Sequence, residues 1–129
     1  MNRHWTLTDL EFVVRWDGQR SGVLPAPFVF TSDIRSYRAF ETLKAETAER
    51  LSGDPATVPD DVLNIVARPD IRIIGSAWDP QHPNDPAKRI RLHAARRSGR
   101  GVLITQLPGR TIWHSGGFTI TEHHELALA

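Results

Sequence analysis

Arg89-Ile90-Arg91-Leu92-His93-Ala94-Ala95-Arg96-Arg97-Ser98-Gly99-Arg100-Gly101-Val102-Leu103-Ile104-Thr105-Gln106-Leu107 is the stretch that decides the fold. Two β-patterned runs flank a tight turn at Ser98-Gly99-Arg100-Gly101, which reads as a hairpin. In the first run, alternation sends Arg89, Arg91 and His93 one way and Ile90, Leu92 and Ala94 the other. The hairpin therefore has a basic face and an apolar face, and the basic one is open to three meanings: nucleic acid, a protein partner or solvent.

Working outward, the C-terminal side continues as a meander. Pro108-Gly109 makes a turn before Thr111-Ile112-Trp113-His114, and Ser115-Gly116-Gly117 makes another before Phe118-Thr119-Ile120-Thr121. On the N-terminal side, Ile71–Trp78 is rich in β-formers and reads as a strand. The connection from Asp79 to Ala87 carries three prolines and no periodic pattern, which predicts a mobile loop.

The first half is helical in character. Trp5–Leu7 is a short strand, and Thr8-Asp9-Leu10-Glu11 fits a capping box opening a helix whose apolar stripe is Leu10, Val13, Val14 and Trp16, up to Gly18. Gln19 to Pro27 is a connection punctuated by Gly and Pro, and Phe28-Val29-Phe30 reads as a strand ended by Thr31-Ser32-Asp33. The longest helix is expected from about Ile34 to Leu51, with Gly53 as its stop. A short third helix starts at Pro59, presents Val62, Leu63, Ile65 and Val66, and ends before Pro69. The expected class is α+β: a central antiparallel sheet, a meander in its second half, flanked by about three helices within a single domain over residues 1–129.

Composition limits the function. The chain has 129 residues, enough for one domain with a real core. Sixteen Lys and Arg against fifteen Asp and Glu give +1, yet Lys88–Arg110 holds seven cations and no acid. With no cysteine there is no disulfide framework, thiol nucleophile or Cys-based zinc site. Met1 to Thr6 lacks the apolar run of a signal peptide, so a cytoplasmic location is expected. No nucleophile elbow, P-loop or dinucleotide fingerprint occurs, and no acid–base pair is placed around His93, so no enzymatic activity, cofactor or metal is expected.

Three constellations could carry chemistry. His123 and His124, beside Glu122 and Glu125, point to opposite faces of a strand and make poor co-ligands for one ion. Asp60 and Asp61 open the third helix, where acids complement its dipole. The Lys88–Arg110 cations form the alternative reading, a small nucleic-acid-binding domain that would meet phosphates and lose affinity with salt. No aromatic interleaves with the cations from Arg89 to Arg110, so a base-stacking platform is lacking.

The order of these blocks resembles the amino-terminal half of the EspG family, proteins associated with ESX, or type VII, secretion. The likeness rests on Leu7-Thr8-x-x-Glu11, on Pro25-x-Pro27, and on Phe40-x-x-Leu43-x-x-Glu46. It rests also on Ile71-Arg72-Ile73-Ile74 and on the block Leu92-His93-Ala94-Ala95-Arg96-Arg97-Ser98-Gly99-Arg100-Gly101-Val102-Leu103. The resemblance implies a cytosolic, non-enzymatic chaperone that recognises the helical tip of a PE-PPE heterodimer and keeps it soluble for export. It also implies a fold of two halves related by an approximate two-fold axis. Because this chain stops at Glu125–Ala129, a homodimer mimicking both halves is expected. Partner contacts are expected from a sheet face, the 79–87 connection, and Trp78, Arg91, His93 and Trp113, since aromatics and Arg anchor interfaces. On that reading, replacing Arg91 and His93 together weakens binding without lowering the melting temperature.

Overall fold

A computed structural model describes residues 2–19 and 23–124. Residues 20–22 of the first long connection, and the Glu125–Ala129 tail, lie outside the described residues. The elements in chain order are β1 (Asn2–Leu7), α1 (Asp9–Asp17), α2 (Tyr37–Ser52), α3 (Asp60–Ala67), β2 (Ile71–Trp78), a 3-10 turn (Pro86–Lys88), β3 (Arg89–Arg97), β4 (Arg100–Pro108) and β5 (Ser115–His124). The strands form one open antiparallel sheet in the order β1-β5-β4-β3-β2, so the fold is α+β with β2 and β1 at its two edges.

Local chemistry sets the helix boundaries. At α1 the Glu11 N–H donates to the Thr8 hydroxyl at 3.2 Å and the Thr8 N–H donates to the Glu11 carboxylate at 2.8 Å, a complete capping box. Ser36 caps α2 by accepting from the Ala39 N–H at 3.1 Å, three residues later than the apolar pattern suggested, and Gly53 follows its last turn. Asp60 and Asp61 fall in the first turn of α3, and each meets a cation: Arg15 at 2.9 Å and Arg100 at 3.0 Å.

The helices cover one sheet face only. Phe12 of α1 stacks on Phe118 of β5 at 4.3 Å, while Val62, Leu63, Ile65 and Val66 of α3 join the same core beneath β3 and β4. The sheet contributes Ala95, Val102, Ile104, Phe118 and Ile120. Fully burying one such apolar side chain stabilises the fold by about 1.5–3 kcal/mol. Helix α2 lies outside α1, tied to it by Lys44–Asp17 at 3.3 Å and Arg50–Glu11 at 3.1 Å.

The hairpin turn is tighter than the sequence suggested. Arg97 pairs with Arg100, leaving only Ser98 and Gly99 in the loop, both at positive φ (51° and 82°) as a type I′ turn requires. Two expected strands are absent. Phe28-Val29-Phe30 buries Phe28 against Phe12 and Phe118, but its Val29 N–H donates to the Gln106 side chain at 3.0 Å instead of joining a ladder. Thr111–His114 folds into a turn, because the Thr111 hydroxyl accepts from the Trp113 N–H and the Thr111 carbonyl from the His114 N–H, both at 3.1 Å.

Conversely, Ser115-Gly116-Gly117 is not a turn but the opening of β5. A Cβ on Gly116 would lie 2.1 Å from the Pro108 carbonyl oxygen, so only glycine lets β5 start this close to the end of β4. The 79–87 connection, expected to be mobile, is hydrogen-bonded within itself. Asp79 accepts from the Gln81 N–H at 2.8 Å, and Asp85 caps the 3-10 turn through the Ala87 N–H at 3.0 Å.

Candidate partner interface

Alternation in β3 is as the sequence implies, but the face that is buried is the basic one. Arg91, His93 and Ala95 point into the helix-covered side, whereas Ile90 is 54% exposed on the other. The reason lies in the partners. Register pairs Ala95 with Val102 and His93 with Ile104, and these share a face with Phe118 and Ile120, onto which α1 and α3 pack. Arg91 and His93 are therefore buried, at 8% and 1% exposure, and replacing them acts on stability. This corrects the expectation of a free basic face.

His93 is held by its surroundings. Its Nδ1 donates to the Ala26 carbonyl oxygen at 2.7 Å, a contact that requires the proton on that nitrogen, and its ring sits 6.3 Å from that of Phe28. Nε2 is buried without a partner. At the opposite end of the inner face, the buried Glu122 carboxylate accepts from Arg3 Nη2 at 2.6 Å and from Arg100 Nε at 2.7 Å. Burial opposes its charged form, but the Arg3 and Arg100 hydrogen bonds outweigh it and hold the carboxyl below its ordinary range. His124 is 3.2 Å from Glu122, while His123 lies on the other face.

The uncovered face is apolar over β2, β3 and β4. Ile71 and Ile73 of β2, Ala94 of β3 and Leu103 of β4 border a groove of about 420 Å³ that ends at His123. Toward β5 and β1 the same face turns polar, with Thr119, Thr121, His4 and Thr6. Strand β2 is exposed on both sides: of its eight residues only Gly75, tucked under Leu92, is even half-buried. Its outer edge pairs with no described strand.

Trp78 and Trp113 are 54% and 64% exposed. Trp78 ends β2 with its ring 5.5 Å from the Arg89 guanidinium, and Trp113 lies in the β4–β5 connection. The β2–β3 and β4–β5 connections meet at one end of the sheet, where Pro86 of the first and Thr111 of the second share a cavity wall. Both rings thus lie at the end of the sheet opposite the groove, and Trp78, paired with Arg89, is in phase with the helix-covered face. Exposed Trp beside Arg is the composition of an interface anchor.

Several cations of the Lys88–Arg110 stretch, by contrast, are engaged with other residues of the chain. Arg97 donates to the Asn64 side chain at 2.9 Å and the Arg68 carbonyl at 3.1 Å, Arg110 pairs with Asp33 at 2.6 Å, and Lys88 approaches Asp79 at 3.7 Å. Arg100 bridges Glu122 and Asp61. No helix among the described residues is long and apolar enough to cross a membrane.

A model of the EspG family matches residues 8–127, almost the whole length, including both the capped first helix and the β3–β4 hairpin. The chain belongs to the EspG family. No curated protein and no solved structure matches it. Membership makes it a type VII secretion-associated protein. Within this EspG-family chain, which sheet face the helices leave uncovered is what the sequence did not reveal. The signal was present in Ile71, Ile73, Ile90, Leu92 and Leu103, whose apolar character exceeds what a helix-covered sheet with one wet face needs.

Proposed function

We propose that this EspG-family chain is a non-enzymatic cytosolic chaperone that binds PE-PPE-type helical secretion substrates on the uncovered sheet face and holds them soluble for export. The observation that carries this reading is the apolar groove bordered by Ile71, Ile73 and Leu103, contiguous with a free edge strand. An amphipathic helix laid on such a face buries its own apolar stripe, which is the element a helical heterodimer exposes. Trp78 and Trp113 anchor the partner from the loop end, where their rings are already exposed.

A second copy of the chain pairs along β2. Eight residues, seven of them exposed and one charged, Arg72, offer an unprotected antiparallel edge, and an isologous β2–β2 contact closes it. Light scattering at micromolar concentration then reports twice the 14.5 kDa chain mass. A monomeric mass removes the homodimer.

The chaperone reading is tested by co-expression with a PE-PPE pair from the same secretion system. Co-purification is expected, and Trp78→Ala with Trp113→Ala weakens it by about 30-fold or more without changing the melting temperature. Failure of every cognate pair to co-purify overturns the reading.

A further inference from the structure

Strand β2 is bare on the helix side of the sheet as well as on the outer side. Its inward row is Arg72, Ile74, Ser76 and Trp78, in register with Ala95, His93, Arg91 and Arg89 of β3, yet Ile74 remains 46% and Trp78 54% exposed. The reason is the width of a helix. Paired strands stand about 4.8 Å apart and packed helices about 8–10 Å apart, so one helix covers two strands. Helix α1 takes β5 and β1, α3 takes β4 and β3, and α2 lies on α1, which leaves β2 without a helix of its own.

A groove of about 710 Å³ occupies that place. Trp16, Leu24, Pro25 and Val66 give it an apolar wall, and it is bordered by His93, the ladder partner of Ile74. Its charged side chains are both cations. Arg68, just past the end of α3, and Arg72 of β2 are exposed, and neither side chain forms a hydrogen bond or ion pair with any described residue. Asp70, between them in sequence, turns its carboxylate to the Ser98 N–H at 3.2 Å, and no Asp or Glu is among the described residues of the lining. Two free guanidinium groups beside an apolar trough complement carboxylates that flank an apolar stripe.

We infer that the groove beside α3 is a docking site for an acidic amphipathic helix of a partner protein, seated over β2 with its carboxylates on Arg68 and Arg72. Such a helix takes the third helix position over the sheet and buries the exposed inward side of Ile74. The site lies on the opposite side of the sheet from the groove bordered by Ile71, Ile73 and Leu103, and it does not rest on the chaperone reading.

The test uses the full chain and two fluorescein-labelled helical peptides of about 18 residues, or five turns. Each carries a leucine stripe at i, i+3, i+4 and i+7, flanked by Glu in one peptide and by Lys in the other. Fluorescence anisotropy is expected to show saturable binding of the Glu peptide and none of the Lys peptide. Arg68→Glu with Arg72→Glu weakens the Glu peptide by about 10-fold or more and lets the Lys peptide bind. Both positions are exposed, so the melting temperature of this variant should stay within about 2 °C of the wild type. Ile73→Lys, on the outer face, leaves the affinity for the Glu peptide unchanged, which separates this site from the surface proposed for secretion substrates. Absence of binding by the wild type, an affinity unchanged in the double arginine variant, or one lost in Ile73→Lys overturns the site. So does binding of sodium laurate, or of a second copy of the chain by light scattering, that depends on the same two arginines while neither peptide binds.

Discussion

Glu122 shows how one residue closes the end of the sheet. Its carboxylate is buried, yet Arg3 from β1 and Arg100 from β4 reach it from opposite sides, so the charge is compensated at both oxygens. Glu122→Ala leaves two cations without their shared partner and is expected to lower stability by about 2–3 kcal/mol, read by urea titration. Because the folded pKa lies below the ordinary value of 4.5, the unfolded chain takes up the proton first as pH falls. The stabilisation is therefore complete above about pH 5 and is lost as pH drops below 4.5 through the folded value. Glu122→Gln should flatten that acid limb; an unchanged limb would assign it to other carboxylates. His93→Ala removes a buried ring and leaves the Ala26 carbonyl without its donor, a loss of about 1–3 kcal/mol. Partner affinity measured on the folded fraction should be unchanged. The sequence placed His93 on an expected partner-binding face, but alternation alone gives no sign of which side of a strand the helices will cover.

At the scale of elements, the ends of α1, α2 and α3 were legible to within a few residues, because Thr8, Glu11, Ser36, Gly53 and Pro59 act on backbone groups only a turn away. Thr8→Ala should cost about 1 kcal/mol, since it breaks both arms of the capping box. The strands were legible where their partners are sequence neighbours, as in the β3–β4 hairpin. They were misread where local hydrogen bonding competes with the ladder. Thr111–His114 satisfies its own backbone as a turn, and Phe28–Phe30 buries the Phe28 ring against Phe118 instead of joining the sheet. For the edge strand, Ile73→Lys places a charge on an exposed position and should change stability by no more than about 0.5 kcal/mol. Hydrogen exchange then gives a direct check. On the proposed β2–β2 pairing, the outward amides of β2 should be protected in the wild type and exchange freely in the Ile73→Lys variant.

Across the whole molecule, a third layer exists only on one side. Helices α1 and α3 fill the inner face, α2 stacks on α1, and the β2–β4 part of the outer face faces solvent with its isoleucines and leucines. The net charge of +1 conceals a cation-rich hairpin whose arginines nevertheless engage Asn64, Asp61, Glu122 and Asp33. A phosphate backbone would have to displace these partners from Arg97, Arg100 and Arg110. Anisotropy with a 20-nucleotide DNA at low salt is therefore expected to show no binding up to tens of micromolar; salt-sensitive binding there would restore the nucleic-acid reading.

The sequence by itself determined the α+β class, the helix caps, the hairpin and the family, because each rests on spacing over a few residues or on the order of blocks along the chain. Only the tertiary structure decided which face of that hairpin is core. Alternation fixes two faces without ranking them, and Arg91 went inside because its neighbours in register, not its own polarity, are where the apolar sides of α1 and α3 find the most surface to bury.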